Sequence, residues 1–458
     1  MSAQMKKINR AYLVDVVLLL AVGIFFSFFH LSKLYGFEFD QERDFNIVKG
    51  IVVEHKFTLI GPRVVSSAGF YLGPWYYYLQ VPFFVAMKGD PIYGAVFTAF
   101  TSVAICLLIY FVLRRHTTSR LVPFLAAILW VGSANRSNWN VAFVPFFFLL
   151  FLHLYWELEK KKRSLYLFLL TLVLALSFNF HPQMIFLTPV WLYAAYRYFR
   201  SQKKLSPNEV GLTILAFLIP FAPLVVFDLR HDFVNTNAAL NFLGSSSLMN
   251  AAVPFFRFGY SLRQFSTSLA FIYPGFQHNL VLTSVFLAAA LVFVLYQSKY
   301  LFLFLITFLS VVVLGFYREL TWPEYYHYLS GFALFTLAVL ALSRIKFGKL
   351  FLLTLTLFVV WVNYKTLITY INPGSYYYKK SMILWMLTKN KPFELLNIEN
   401  DFKYGEGLGF LPIREFYEKK SGEYNPNLKF YVSYADSPKH NQTKEAFGMY
   451  AISLIGAK

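Results

Sequence analysis

The chain has 458 residues, of which 57% are hydrophobic and only 14% charged, and its mean hydropathy is +0.51. Those proportions exclude an ordinary soluble globular protein and point to a polytopic membrane protein. The net charge of +19 would suit nucleic acid, but the basic residues fall in short clusters between apolar runs, as orientation in a membrane requires, so no nucleic-acid partner is expected.

Lys6, Lys7 and Arg10 precede the first apolar run, at 11–30. No small-residue cleavage site follows, so this segment reads as an uncleaved membrane anchor. About ten residues beyond it stands Phe39-Asp40-Gln41-Glu42-Arg43-Asp44. Ionisable groups beside a bilayer are costly unless solvated or paired, which marks this cluster as a candidate site. Its ordinary alternative is a solvated loop in which Arg43 pairs locally. The segment 73–87 is short, aromatic-rich and contains Pro74 and Pro82, which suits a helix lying in the interface. Further spans are expected near 91–113, 120–135, 141–156, 164–180, 183–199, 209–227, 279–297, 300–316, 326–343 and 349–370, about eleven with the first. The single cysteine, Cys106, lies in an apolar stretch, so no intrachain disulfide forms.

The positive-inside rule sets the orientation. With 73–87 interfacial, one set of short loops carries eighteen Lys and Arg, while the opposite and much longer loops 31–90, 132–140, 228–278 and 317–325 carry eleven. The N-terminus is therefore expected to be cytoplasmic. Residues 40–44, the long loop 228–278 and the C-terminal tail are expected on the outer face. The tail, 371–458, is expected to be a small extracytoplasmic α+β domain beside a transmembrane domain of 1–370. Its cues are the turn signals Asn372-Pro373-Gly374 and Tyr424-Asn425-Pro426-Asn427 and a strand-like run at 428–434. Asn441-Gln442-Thr443 matches a glycosylation triplet of the kind that arises by chance.

The acidic cluster after the first span, the interfacial Gly73-Pro74-Trp75-Tyr76-Tyr77-Tyr78 and the later Asn135-Arg136-Ser137-Asn138-Trp139-Asn140, in that order and on one side, carry a resemblance. The chain resembles membrane-embedded glycosyltransferases of the GT-C fold, and within them bacterial relatives of the dolichyl-phosphate-mannose protein mannosyltransferases and lipid A aminoarabinose transferases. The likeness covers roughly residues 10–200, and beyond that only topology. Asp40-Gln41-Glu42-Arg43 occupies the place of the family's Asp-Glu-x-Arg motif, with Gln41 where the family has an acid. Asn140 stands where the family often has Asp, and Leu72 where it often has a cation.

The resemblance implies an inverting transfer of a sugar from a polyprenyl-phosphate carrier to a glycan, lipid or protein acceptor. The lipid-linked sugar is the donor and no further cofactor is implied. Such chemistry needs a carboxylate base and cations or dipoles for the departing phosphate. Asp40 matches the motif's first acid and is the expected base, with Asp44 the second catalytic carboxylate. Arg43, Arg63 and Arg136 are the expected phosphate contacts, because Arg suits bidentate phosphate recognition. Asn138, Trp139, Asn140, His181 and His55 are expected to bind sugar or acceptor, since aromatic faces and amides suit carbohydrates. Tyr71, Trp75, Tyr76, Tyr77 and Tyr78 read instead as an interfacial aromatic belt. The loop 317–327 either pairs its own charges or covers the pocket. No metal-ligand spacing and no nucleotide fingerprint occurs, and a divalent cation is not indicated. The rival readings are a flippase or transporter of a lipid-linked glycan, a ligase or polymerase of surface polysaccharide, and a non-enzymatic assembly protein.

Overall fold

Inside a bilayer the backbone polar groups have no water to bond, so apolar runs of this composition wind into helices. The computed structural model of the chain describes residues 3–64, 69–133, 139–202, 206–244, 256–317, 322–388, 394–396, 409–418, 429–435 and 443–455. A helix stands at each of the eleven expected spans. The first is α1 (Ala3–Phe28), followed by the short α2 (Leu31–Leu34), then α3 (Phe39–Val53), α4 (Trp75–Ala86) and α5 (Tyr93–Arg114). Next come α6 (Leu121–Ser133), α7 (Val144–Lys161), α8 (Ser164–Phe178), α9 (Thr188–Ser201), α10 (Pro207–Leu218) and α11 (Ala222–Arg230). After α12 (Val234–Gly244) and α13 (Phe258–Ser268), the chain returns through α14 (Leu280–Tyr296), α15 (Leu301–Leu314), α16 (Tyr328–Leu342) and α17 (Gly348–Thr369).

Among the described residues, six segments are long and apolar enough to cross a membrane, and four shorter apolar helices accompany them. This is a multi-pass membrane protein. The helices α5, α7 and α16 are mostly buried and form the centre of the bundle, while α10–α11 and α17 turn most of their apolar side chains outward. Lipid tails are as apolar as leucine, so the outward apolar side chains of α10–α11 and α17, such as Leu215, Leu218 and Leu357, are at no cost where hydrocarbon surrounds them.

Two sequence expectations give way here. Residues 40–44 are not a loop but the first turns of α3. Glu38 caps that helix: its backbone N–H donates to Gln41 Oε1 at 3.0 Å, and the Gln41 backbone donates back to the Glu38 side chain. Asp40 and Glu42 in the first turn add favourable charge at the positive end of the helix dipole. Likewise, the expected loop 228–278 is largely helical where it is described. Asp228 makes the turn into α12, accepting from the backbone N–H of Asn235 and Thr236 at 2.9 and 3.0 Å and from the Thr236 hydroxyl at 2.6 Å.

Beyond Thr369 the chain forms α18 (Tyr376–Thr388), α19 (Phe410–Glu418) and a small sheet of β1 (Glu394–Leu396), β2 (Lys429–Tyr434), β3 (Thr443–Phe447) and β4 (Tyr450–Ile455). The strand order is β1-β2-β4-β3, with β1 parallel to β2 and the other pairs antiparallel. The 428–434 run thus supplies β2, and Asn372-Pro373-Gly374 makes its turn, with Gly374 N–H donating to Asn372 Oδ1 at 3.0 Å. The triplet at 441–443 begins outside the described residues.

This tail grips the approach to α3. Tyr376 N–H donates to Tyr35 O at 2.9 Å, and the buried Lys379 ammonium donates to Phe37 O at 2.7 Å while lying over the rings of Phe410 and Tyr450. Gly409 N–H donates to the Glu42 carboxylate, and Lys49 pairs with Glu415 at 2.6 Å. The helix that carries the acidic cluster is therefore held at both ends by residues more than 300 positions away.

Candidate functional site

A cavity of about 1800 Å³ opens at the end of the bundle that carries α3 and α4. The spacing of α3 decides what the cavity meets. Asp40, Arg43, Ile47 and Gly50 recur at helical intervals and line it, whereas Asp44, Phe45 and Val48 point into the protein and are buried.

The charged centre is an Asp–Arg–Asp chain. Arg43 places Nη1 2.7 Å from Asp40 Oδ1 and Nη2 2.7 Å from Asp44 Oδ1, with Nε also donating to Asp44 Oδ1 at 2.9 Å. The Asp40 side chain is 41% exposed and that of Asp44 only 1%. Burial pushes the Asp44 carboxyl up from its ordinary 3.8 to about 6, against the opposing pull of Arg43 and a hydrogen bond from Tyr76. Burial also works against the Arg43 charge, but Asp44, Tyr77 and Asp40 outweigh it and its pKa rises, so Arg43 stays ionised. Asp40 is thus the carboxylate presented to the cavity. Asp44, expected as a second catalytic acid, lies behind Arg43 and does not line the cavity.

The tyrosines of α4 also depart from expectation. Tyr76 and Tyr77 are fully buried rather than a belt at the membrane surface, and Tyr77 lines the cavity beside Arg43. Burial, then the neighbouring Asp44, raises the Tyr77 hydroxyl pKa, keeping it a neutral hydrogen-bonding group. Trp75 donates to Pro220 O at 2.7 Å and Tyr78 to Thr58 O at 2.9 Å, tying α4 to the turn between α10 and α11 and to the segment after α3.

That segment, 61–72, doubles back on itself. Gly61 N–H donates to Leu72 O at 2.6 Å, Leu72 N–H to Pro62 O at 3.0 Å, and Arg63 pairs across to Tyr71. Arg63 lines the cavity with one guanidinium nitrogen on Gly69 O at 2.8 Å and no carboxylate partner among the described residues. Lys56 also lines the cavity and pairs with Glu54. His55 does not: it is exposed in a left-handed turn (φ 54°) after α3 and is not among the residues lining the cavity. Arg136 and Asn138 lie outside the described residues.

Trp139, Asn140 and His181 all line the same cavity. Asn140 donates to Phe180 O at 2.5 Å, and the Trp139 ring meets Tyr325 edge-on at 4.6 Å. His181 accepts from the Gln183 side chain at 2.9 Å through Nδ1, and burial lowers its pKa to about 3. It is a neutral hydrogen-bonding residue, not a proton donor near neutrality. Gly73 allows the walls to close: a Cβ there would sit 1.6 Å from Asn179 Oδ1.

Asn179, Gln183, Thr188 and Tyr325 also line the cavity, as does Tyr77 beside Arg43, and none of them was expected in the site from the sequence. The signal for Asn179 and Gln183 was present, as polar residues flanking His181 where an apolar span ends. Tyr325 belongs to the 317–327 loop that had been considered as a cover. The same cavity is also lined by the apolar side chains of Phe217, Phe221, Leu224, Phe233, Phe242 and Leu314. Among the described residues no group of three or more His, Cys, Asp or Glu gathers as a metal set.

No protein-family model and no curated protein matches the chain. Solved structures do. ArnT from Cupriavidus metallidurans in the apo state aligns with a TM-score of 0.59 at 10% identity, over 97% of this chain and 98% of that one. The same protein bound to undecaprenyl phosphate aligns with a TM-score of 0.57 at 11% identity, over 98% of both chains. At this identity the likeness establishes the fold, which is the GT-C fold expected from the sequence.

Proposed function

We propose that this GT-C chain is an inverting glycosyltransferase that takes its sugar from a polyprenyl-phosphate carrier at the outer face of the membrane. The observation that carries the reading is the cavity itself. Its lining divides between polar groups, among them the accessible Asp40 carboxylate and Arg63 without a carboxylate partner among the described residues, and apolar side chains of membrane helices such as Phe217, Phe221, Leu224 and Leu314. A donor with an anionic head and a long isoprenoid tail has the same division, and the aligned ArnT structure holds undecaprenyl phosphate.

In the reaction, Asp40 accepts the proton of an acceptor hydroxyl or amine. The freed electron pair forms the new bond to the anomeric carbon as the bond from that carbon to phosphate oxygen breaks. Polyprenyl phosphate leaves with that electron pair, and one displacement inverts the centre. Arg63 stabilises the charge growing on the leaving phosphate, and Arg43, clamped by Asp44, fixes the direction of Asp40. The outward placement of this end rests on the excess of basic residues in the opposite loops.

Purified full-length protein given a polyprenyl-phosphate sugar and no nucleotide sugar is expected to transfer the sugar. Arg63→Ala should lower kcat/KM for the donor at least tenfold, since a hydrogen bond to a charged group contributes about 1.5–3 kcal/mol. Arg63→Lys should recover little of it if the contact is bidentate. A strict requirement for a nucleotide sugar would overturn the reading, and movement of an intact lipid-linked glycan without bond transfer would replace it with a flippase.

A further inference from the structure

The segment that carries Arg63 is a short antiparallel ribbon. Val64 N–H donates to Phe70 O at 2.9 Å and Leu72 N–H to Pro62 O at 3.0 Å, which sets Arg63 and Tyr71 directly opposite each other. In an antiparallel pair bonded in that pattern, the two residues between the bonds stand close and their side chains are neighbours. Their own N–H and C=O groups turn away from the partner strand. Tyr71 therefore offers a backbone edge on the side remote from Arg63. A two-stranded ribbon is marginally stable by itself, so whatever holds that edge decides where Arg63 stands.

Asn235 holds it. Its Oδ1 accepts from Tyr71 N–H at 2.6 Å and its Nδ2 donates to Tyr71 O at 3.1 Å. One side-chain amide thus makes both bonds that a third strand would make, which neither a carboxylate, with no donor, nor an aliphatic side chain can do. Asn235 is itself buried and fixed from its own backbone: Asp228 accepts from the N–H groups of Asn235 and Thr236 and from the Thr236 hydroxyl. Those N–H groups belong to the first turn of α12, where an anion is favoured, so the carboxylate joins the end of α11 to the start of α12. Ring contacts repeat the arrangement. Tyr71 meets Phe227 of α11 at 6.4 Å and Phe70 meets Phe242 of α12 at 5.5 Å, both edge-on. The ribbon thus touches both helices, and Arg63, Tyr71, Asp228 and Asn235 all line the one cavity.

We infer that Asn235, fixed by Asp228, is the positioning residue of Arg63 and through it sets how tightly the phosphate of the lipid donor is bound. It acts by way of Tyr71 and the cross-strand Arg63, not on the lipid itself. This rests on the glycosyltransferase reading above and adds the group that aims its phosphate-binding arginine.

The test is a double-mutant cycle on the full-length protein, with undecaprenyl phosphate and undecaprenol as the two ligands and binding followed by native mass spectrometry. Arg63→Ala is expected to weaken undecaprenyl phosphate at least about tenfold, the size of a hydrogen bond to a charged group. Asn235→Ala should weaken it about three- to tenfold and leave undecaprenol within about twofold, because the alcohol brings no charge to Arg63. In the Arg63→Ala background the same change should cost less than about twofold, since a residue that acts through another has nothing left to act on. Asn235→Gln, which keeps the amide and displaces it by one methylene, carries the same cycle if Asn235→Ala does not fold. Equal losses for the two lipids, or losses that multiply in the double variant, would overturn the inference and make Asn235 a general support of the fold. Parental affinity for undecaprenyl phosphate in the Asn235 variant would overturn it as well. If Arg63→Ala itself leaves that affinity unchanged, or the parent protein binds no undecaprenyl phosphate, the donor-phosphate reading fails and the positioning role falls with it.

Discussion

Asp40→Asn is expected to lower sugar transfer by about 10²–10⁴-fold, the usual contribution of a general base, while leaving the protein folded. The fold should survive because the Asp40 side chain is 41% exposed and its pair with Arg43 is of the solvent-reached kind that contributes about 0–1 kcal/mol. Arg43 keeps its second partner, Asp44, so no buried charge is stranded. The measurement is kcat with the lipid donor beside the thermal midpoint of the same preparation. Near wild-type turnover would remove Asp40 from the mechanism. A large fall in the midpoint would make it structural instead.

Asp44→Asn is expected to act differently, on pH dependence and on aim. In the folded protein the Asp44 carboxyl titrates at about 6 against an ordinary 3.8, mainly because it is buried. A raised carboxyl pKa means that the folded state binds the proton more tightly than the unfolded chain. Stability from this group is therefore greatest below pH 4 and is lost as pH rises through 6. A difference of about two pKa units corresponds to a loss on the order of 3 kcal/mol across that window. Asn cannot titrate, so the variant should show a flatter stability profile between pH 4 and 6. Turnover should fall on the order of 10-fold to 10²-fold, because Arg43 loses the anchor that aims Asp40, and small misplacements at a reacting centre cost that much. An unchanged profile would show that Asp44 is not the titrating group. A larger loss of turnover than in Asp40→Asn would mean that the two carboxylates have been assigned in the wrong order.

The membrane class and the helix positions were legible because they rest on local signals. Apolar runs of spanning length mark the helices, and an acidic cluster beside a span is conspicuous against a chain that is only 14% charged. The burial of Asp44 behind Arg43 was not legible. It depends on α3 being a helix, announced only by Glu38 and Gln41 as a capping pair, and Gln41 had looked merely like a lost acid. Once the helix is in place, its period turns Asp40 to the cavity and Asp44 to the interior. The burial of Tyr76 and Tyr77 was hidden for a related reason: an aromatic run beside a membrane has one composition whether it faces lipid or protein. Contacts such as Lys379 with Phe37 and Asn235 with Tyr71 join residues far apart in the chain, and no local pattern encodes them. His55 was drawn in by its nearness in sequence, but it stands exposed in a turn after α3 and does not line the cavity.

The most direct measurement is an electron cryomicroscopy structure of the full-length protein in lipid nanodiscs with undecaprenyl phosphate. The account predicts phosphate density within hydrogen-bonding distance of Arg63, on the same side of the cavity as Asp40, and the isoprenoid tail along Phe217, Phe221 and Leu224. A phosphate bound at the far end of the bundle, or a cavity that stays empty at saturating lipid, would contradict it.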